Sequence, residues 1–122
     1  MITVTHRASI RMADSMTGLF TGADHQADVS FFWVDETPGG GPAFHWHPYT
    51  ETWVVLDGQV LIETQNKQRE IEQFVATPGD IVTVMPETIH RFRARGQTNL
   101  HMLCIHPAPR IIEEFIEPED TE

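Results

Sequence analysis

Short apolar runs separated by turn-forming residues dominate the pattern of hydrophobic and polar positions along this chain. The runs are rich in β-branched and aromatic residues, which favour strands, and glycine- or proline-containing turns lie between them. Several short strands with frequent turns are typical of a sandwich or barrel, so the sequence predicts an all-β domain. The predicted strands cover residues 29–35, 52–56, 59–64, 80–85, 91–95 and 100–106.

Two local patterns predict how strands are connected and how the chain ends. Asp57-Gly58 lies between two predicted strands and is a strong signal for a β-hairpin turn. Within residues 107–122, a short amphipathic helix is predicted after Pro107, because its apolar residues recur with helical spacing and Glu113 and Glu114 would face outward. The acidic tail that follows the helix is predicted to fray.

Composition and charge narrow the class of protein. At 122 residues the chain has the length of one domain with its own core. Its formal net charge is −10, and six of the acidic residues lie within the last ten positions. Such a chain is poorly suited to bind the phosphates of nucleic acid or an anionic membrane surface, so neither partner is expected.

The cysteine content and the N-terminal residues bear on the compartment. Cys104 is the single cysteine, so an intrachain disulfide cannot form and nothing indicates an oxidising environment. The N-terminal residues contain no apolar core of signal-peptide length, and no stretch approaches the length of a membrane span. We therefore expect a cytoplasmic protein.

A set of potential metal ligands is the most informative feature of the sequence. His45 and His47 are two residues apart, so on a strand both side chains project from the same face. Glu51 follows after a short interval, and His90 would reach the same point from a neighbouring strand. Three imidazoles and one carboxylate suit a divalent transition metal such as Fe, Mn, Zn, Ni or Cu better than calcium or magnesium, which prefer oxygen ligands.

These four residues lie in register with glycines in a way that resembles the cupin superfamily. The first cupin motif runs Gly, five residues, His-x-His, three or four residues, Glu, six residues, Gly. Its fixed positions are all matched, by Gly39, His45, His47, Glu51 and Gly58. In the second motif Gly79 and His90 fit, whereas Met85, Glu87 and Ala94 replace the usual Pro, Gly and Asn.

The resemblance implies a single cupin domain over residues 1–122. Residues 29–106 would form its conserved jelly-roll barrel, also called a double-stranded β-helix, with the metal inside one mouth. The implied ligands are His45, His47, Glu51 and His90, with one or two coordination positions left open. Any one of them alone could be an ordinary core or surface residue, but four in register favour a metal site. Small cupins are usually homodimers, and we expect a homodimer here.

Strand alternation predicts part of the pocket wall around the metal. If Glu51 faces inward, Trp53 lies on the same side of its strand, and an inward His90 places Phe92 inward as well. Both aromatic residues are therefore candidate pocket residues, and they would make the site largely apolar.

The last predicted strand, 100–106, can present either of two faces to the cavity. One face carries His101, and the other carries Cys104 and His106. His101 is therefore a third candidate pocket residue, although a filler role in the barrel wall is the alternative reading. The sequence leaves the choice of face open.

The resemblance allows several functions and leaves the catalytic residues unknown. We favour a small metalloenzyme, a dioxygenase-type oxidoreductase that acts on a small oxygenated organic molecule. The alternatives are a metal-dependent isomerase or lyase, in which the metal serves as a Lewis acid, and a non-catalytic cupin that binds or senses a small molecule. For acid–base chemistry the sequence offers only weak candidates: Tyr49, Glu63, Glu87 and His101.

Because histidines must be neutral to bind a metal, we expect the metal to be lost as the pH falls through about 6, near the pKa of free imidazole. Metal content measured after desalting at a series of pH values tests this expectation. Full occupancy well below that pH would point to a different ligand set.

Overall fold

The computed structural model describes residues 1–116, and strands make up most of its regular structure. Within these residues the helical segments are two short 3-10 helices, Arg7–Ile10 and Gly22–His25. The strands are β1 (Gly18–Phe20), β2 (Ser30–Glu36), β3 (His45–Trp46), β4 (Glu51–Asp57), β5 (Gln59–Gln65), β6 (Ile71–Ala76), β7 (Ile81–Val84), β8 (Ile89–Arg95), β9 (Leu100–His106) and β10 (Glu114–Phe115).

The strands form two antiparallel sheets of five strands each. The order is β1-β2-β9-β4-β7 in the first sheet and β10-β3-β8-β5-β6 in the second. Successive strands such as β4 and β5, or β8 and β9, lie in different sheets, so the chain crosses repeatedly from one sheet to the other. This arrangement confirms the predicted all-β jelly-roll barrel.

All six predicted strands are present, each within two residues of its predicted bounds. The strands that the pattern missed are β1, β3, β6 and β10. Three of these have only two or three residues, and β6 is exposed at nearly every position. Neither kind of strand shows the alternation of buried and exposed residues by which a strand is recognised in a sequence.

The hairpin predicted at Asp57-Gly58 is wrong. β4 pairs with β7 and β9, whereas β5 pairs with β6 and β8, so this turn carries the chain from one sheet to the other. Gly58 has a φ of +77°, and a Cβ built on it would lie 2.4 Å from the carbonyl oxygen of Asn99. The turn needs glycine because two backbones approach each other closely there.

The predicted C-terminal helix is also wrong for the residues that the structure describes. Residues 107–113 are bends and irregular chain, and Glu114–Phe115 pairs with β3 as β10. An isolated helix of this length is marginal, and here the backbone groups of Ile112 and Ile116 find partners on the barrel instead. The acidic tail predicted to fray lies beyond residue 116, outside the described residues.

The core lies between the two sheets and is built from alternate residues of the central strands. The open choices of register are resolved in favour of Val60 and Ile62 on β5 and of Met102 and Cys104 on β9. These residues are buried in one cluster with Trp53, so the barrel interior is apolar apart from the ligand set.

The outer face of β2 is covered by the N-terminal part of the chain. The ring of Phe31 stacks on Phe20 with centroids 4.8 Å apart, and the guanidinium of Arg7 lies 5.1 Å from the ring centroid of Trp33. Phe32, on the inner face of the same strand, packs against the core instead. Residues 1–116 contain no helix with the length and apolar character that crossing a membrane requires.

A comparison of two glycines tests the close approach at Gly58. Gly58 and Gly79 both have positive φ, but nothing lies within 4 Å of a Cβ built on Gly79. Gly79→Ala should therefore cost only the conformational strain, about 1 kcal/mol. Gly58→Ala should cost about 1–3 kcal/mol more, because the backbone of Asn99 must move. Urea unfolding of both variants measures the difference, and equal losses would contradict the crowding.

Candidate metal centre

The four predicted ligands converge at one end of the barrel interior. His45 on β3 is the direct partner of His90 on the neighbouring β8, and His47 follows β3 by one residue. Glu51 begins β4 in the opposite sheet. All four side chains are at least 95% buried. Sheet pairing thus brings together residues that lie far apart in the sequence.

The atoms that could bind a metal lie close to one another. The Oε1 atom of Glu51 lies 3.2 Å from Nε2 of His47 and 3.3 Å from Nε2 of His90. The ring of His45 completes the group, with its centroid 4.4 Å from that of His90, and potential ligand atoms of the three histidines lie within 4.8 Å of one another.

Hydrogen bonds to the backbone fix which nitrogen of each ring faces inward. The Nδ1 atoms of His45, His47 and His90 lie 2.8, 2.9 and 2.7 Å from the carbonyl oxygens of Ala43, Ile112 and Thr88. A carbonyl only accepts, so each Nδ1 carries the hydrogen. In the neutral ring Nε2 then presents its lone pair to the centre, which is the usual arrangement of a metal-binding histidine.

The unsatisfied atoms at the centre show that the residues fit a divalent metal. Nε2 of His47, Nε2 of His90 and Oε1 of Glu51 are buried without a hydrogen-bond partner. Acceptors at 3.2–3.3 Å repel one another unless a cation lies between them, and leaving them unpaired is costly. Two neutral nitrogens facing a carboxylate oxygen therefore require a proton or a metal ion.

The pKa shifts of two ligands follow from the same contacts. Burial opposes ionisation of Glu51, but His106, His47 and His90 outweigh it and hold its pKa well below the usual range. Burial alone would lower the pKa of His47, but Glu51 raises it above its ordinary value. Both shifts have the same origin, because the carboxylate of Glu51 and the imidazoles around it stabilise each other's charged forms.

His106 is a fifth residue of the cluster that the sequence did not place there. It ends β9, is 1% exposed, and its Nε2 lies 3.1 Å from Oε2 of Glu51. His47, Glu51 and His106 form a second group able to hold a cation. The sequence places His106 on the same strand face as Met102 and Cys104. That face is recognised as the inner one only when the pairing of β9 is known.

The three candidate pocket residues have different locations. Trp53 and Phe92 line the cavity beside the cluster, with their rings packed edge to face at 5.3 Å. The expectation for His101 is wrong, because β9 turns its even-numbered residues inward. His101 lies on the outer face with its Nε2 3.7 Å from Oδ1 of Asp35.

The other weak acid–base candidates also differ in whether they contact the cluster. The carboxylate of Glu63 is bound by Arg91 at 2.8 Å on the outside of the sheet, and Glu87 is exposed in a turn. Tyr49 alone reaches the cluster, with its hydroxyl 2.7 Å from Nδ1 of His106. Burial raises the pKa of the Cys104 thiol well above its usual range, which removes it as a nucleophile.

A cavity of about 340 Å³ opens onto the cluster. Its wall is mainly apolar and includes Phe32, Val34, Trp53, Phe92 and Phe115. Glu36 and Glu113 also line it. Glu113 was expected to face outward on a helix, but the irregular C-terminal segment directs it to the mouth. Burial raises the pKa of Glu113, although His47 and His106 oppose the shift, and burial together with Asp35 raises the pKa of Glu36.

Two antiparallel sheets that enclose three histidines and a carboxylate beside an apolar cavity define a jelly-roll barrel with a candidate metal centre at one mouth. Residues 32–106, more than half of the chain, match the Cupin domain family. The chain therefore belongs to this family, as the resemblance of its two motifs indicated.

Three similar proteins show how far the resemblance extends in sequence identity, coverage and fold. Germin-like protein subfamily T member 3 of Arabidopsis thaliana is 32% identical over 78 residues, which are 63% of this chain and 34% of that protein. An oxalate oxidase structure has a TM-score of 0.70 at 21% identity, over 82% of this chain and 54% of the other. The Mn(II)-containing oxalate decarboxylase of Bacillus subtilis has a TM-score of 0.72 at 17% identity, over 82% and 27%.

Both solved structures are below 25% identity to this chain, so their likeness supports the fold alone. The chain spans about a third of the curated relative and about half or less of the two solved structures. The activities named for these proteins therefore do not establish the activity of this chain.

The pH dependence of stability tests the environment of His45. Burial, followed by the neighbouring His90, lowers the pKa of His45 to about 4. The unfolded state then binds more protons between pH 6.5 and 4, so the contribution of His45 to stability is present above pH 6.5 and is lost as the pH falls toward 4. The loss is on the order of 3 kcal/mol.

His45→Gln removes this titration. Because the raised pKa of His47 works in the opposite direction, the quantity to follow is the difference between wild type and variant in metal-free protein. The wild type should lose stability relative to His45→Gln as the pH falls from 7 to 4, as measured by urea unfolding with a chelator present. His101→Gln, on the outer face, is the control. Parallel pH curves for wild type and His45→Gln would contradict the shift.

Proposed function

We propose that this protein is a metalloenzyme of the dioxygenase type that acts on a small oxygenated organic molecule. The observation that carries the proposal is the cluster of possible ligand atoms on His45, His47, Glu51 and His90 beside an accessible cavity, with those of His47, Glu51 and His90 buried without a hydrogen-bond partner. A divalent transition metal held by these residues would supply Lewis acidity and, if redox-active, a route by which electrons pass from the organic substrate, which is oxidised, to dioxygen, which is reduced. Four protein ligands would leave a coordination position open toward the cavity.

The walls of the cavity favour a neutral molecule with an apolar body. The aromatic residues Phe32, Trp53 and Phe92 would pack against such a body and exclude water from its reacting end. Among the described residues that line the cavity there is no lysine or arginine, whereas Glu36 and Glu113 are present. A small dianion such as oxalate would have to be desolvated beside these carboxylates. We therefore propose that the substrate differs in charge from oxalate, despite the names of the structural neighbours.

Glu113 gives a specific reason to keep a metal-dependent isomerase or lyase as the second candidate. Its carboxyl lines the cavity, and its raised pKa keeps a proton available at a higher pH than an ordinary glutamate would. A group of this kind can donate or remove a proton at a bound molecule. The isomerase or lyase reading needs this proton transfer, and the dioxygenase reading does not.

The homodimer is retained as part of the proposal. The edge strand β6, the edge strand β7 and the residue that follows β7 expose large apolar side chains: Phe74, Val75, Ile81 and Met85. Exposed apolar residues on sheet edges are commonly covered by a partner. The cytoplasmic location stays a prediction.

An oxygen-uptake screen tests the function. Protein stripped of metal is reloaded separately with Fe(II), Mn(II), Zn(II), Ni(II) or Cu(II) and offered neutral phenols, diols and thiols alongside oxalate and other dicarboxylates. We expect uptake with a redox-active metal and a neutral substrate, and none with oxalate. His47→Ala should lower metal affinity by at least about 100-fold and abolish uptake, because a ligand is lost.

The matched control is His101→Ala, which removes a histidine from the outer face and should leave both metal affinity and uptake unchanged. Product formation without oxygen uptake, lost in Glu113→Gln, would favour the isomerase or lyase. Measurable ligand binding without turnover would favour a binding or sensing protein. Elemental analysis showing that the wild type binds none of the five metals would defeat the site itself.

A further inference from the structure

The surroundings of His106 differ from those of the three predicted histidine ligands. Their Nδ1 atoms face backbone carbonyls, whereas Nδ1 of His106 faces the hydroxyl of Tyr49 at 2.7 Å. A hydroxyl can donate or accept a hydrogen bond. Which ring nitrogen of His106 carries the hydrogen therefore depends on the other hydrogen bond that the Tyr49 hydroxyl makes.

The hydroxyl of Tyr49 already accepts a hydrogen bond from the backbone N–H of Ile112 at 3.0 Å. Its own hydrogen is then available to Nδ1 of His106. The opposite arrangement, in which Nδ1 of His106 donates to the hydroxyl, would leave the hydrogen of Tyr49 without that acceptor. It would also turn the lone pair of Nε2 toward Glu51 Oε2, and two acceptors 3.1 Å apart repel each other.

The favoured arrangement therefore places the ring hydrogen of His106 on Nε2, 3.1 Å from Oε2 of Glu51. Like Nε2 of His47 and His90, this nitrogen is buried without an aligned hydrogen bond, so the tautomer is inferred from the contact of Nδ1 with Tyr49. The two oxygens of Glu51 then have separate partners. Oε2 faces the N–H of His106, while Oε1 faces His47 and His90 at 3.2 and 3.3 Å, where the cation would bind.

We propose that Tyr49 and His106 are positioning residues that orient the carboxylate of Glu51 for the metal. In this arrangement His106 holds the tautomer opposite to that of His45, His47 and His90, and it remains outside the metal's ligand set. The proposal rests on the metal site of the proposed function but on no particular reaction. Its consequence is that the metal affinity depends on a tyrosine hydroxyl that never touches the metal.

The tautomers can be read directly by NMR. Long-range proton–nitrogen correlation spectra of the metal-free protein at pH 8 distinguish the protonated from the unprotonated nitrogen of each ring. We expect the ring hydrogen on Nδ1 of the three ligand histidines and on Nε2 of His106. In the zinc-loaded protein the Nε2 hydrogen of His106 should persist. A hydrogen on Nδ1 of His106, or a zinc-bound Nε2, would overturn the proposal.

A series of variants tests the positioning role through zinc affinity. His106→Gln retains an N–H that can reach Glu51, and it should bind zinc within a few-fold of the wild type. His106→Leu keeps a similar bulk without a donor, and it should bind zinc about 10–100-fold more weakly, the usual loss when a partner of a metal ligand is removed. Tyr49→Phe keeps the ring that stacks on His47 and should lose affinity in the same range while redistributing the tautomers of His106.

The alternatives give different results in the same series. If His106 were a ligand, the glutamine variant would fail as the leucine variant does, and both would match His90→Ala. If its role were only to fill space, the leucine variant would bind zinc as the wild type does. His101→Leu is the control for loss of a histidine. Failure of the wild type to bind zinc would defeat the metal site, while the spectra of the metal-free protein would still decide the tautomer of His106.

Discussion

The placement of Glu51 opposite three histidines is the constraint on which the rest of the structure depends. A buried carboxylate among imidazole lone pairs is unfavourable unless positive charge lies between them. The three ligand histidines belong to β8 and to the β3 region of one sheet, while Glu51 and His106 belong to the other. A cation at the centre would therefore join the two sheets at the open end of the barrel.

The apolar interior and the polar cluster are built from the same strands, and the interior affects the electrostatics of the cluster. Trp53, Phe92 and Cys104 continue inward along the same strands that carry Glu51, His90 and His106, so one alternation of residues produces both the core and the site. The low polarity of this interior strengthens the electrostatic interactions of the cluster. Burial disfavours the charged form of both His45 and His47, and the contact with Glu51 reverses the pKa shift at His47. The same packing determines the shape of the cavity above the cluster.

The convergence of His45, His47, Glu51 and His90 could be predicted because their spacing follows strand geometry and matches a family motif. His106 could not, because both faces of strand 100–106 carry apolar residues and only the pairing of β9 with β2 and β4 decides between them. For residues 107–116 the apolar spacing fits a helix. Instead, the carbonyl of Ile112 accepts a hydrogen bond from His47 and its N–H donates one to the hydroxyl of Tyr49. Asp57-Gly58 was correctly recognised as a turn, but a turn signal does not reveal whether the next strand stays in the same sheet.

The role of Ile112 has a consequence for how this site would be studied and how it would evolve. Its carbonyl accepts from His47 and its N–H donates to Tyr49, while about half of its side chain is exposed. An alanine scan would pass over this position, because every residue except proline supplies the same two backbone groups. Selection could likewise replace the side chain freely while conserving the path of the chain. Part of what orients the candidate metal centre is thus backbone geometry, which does not require a particular residue type at position 112.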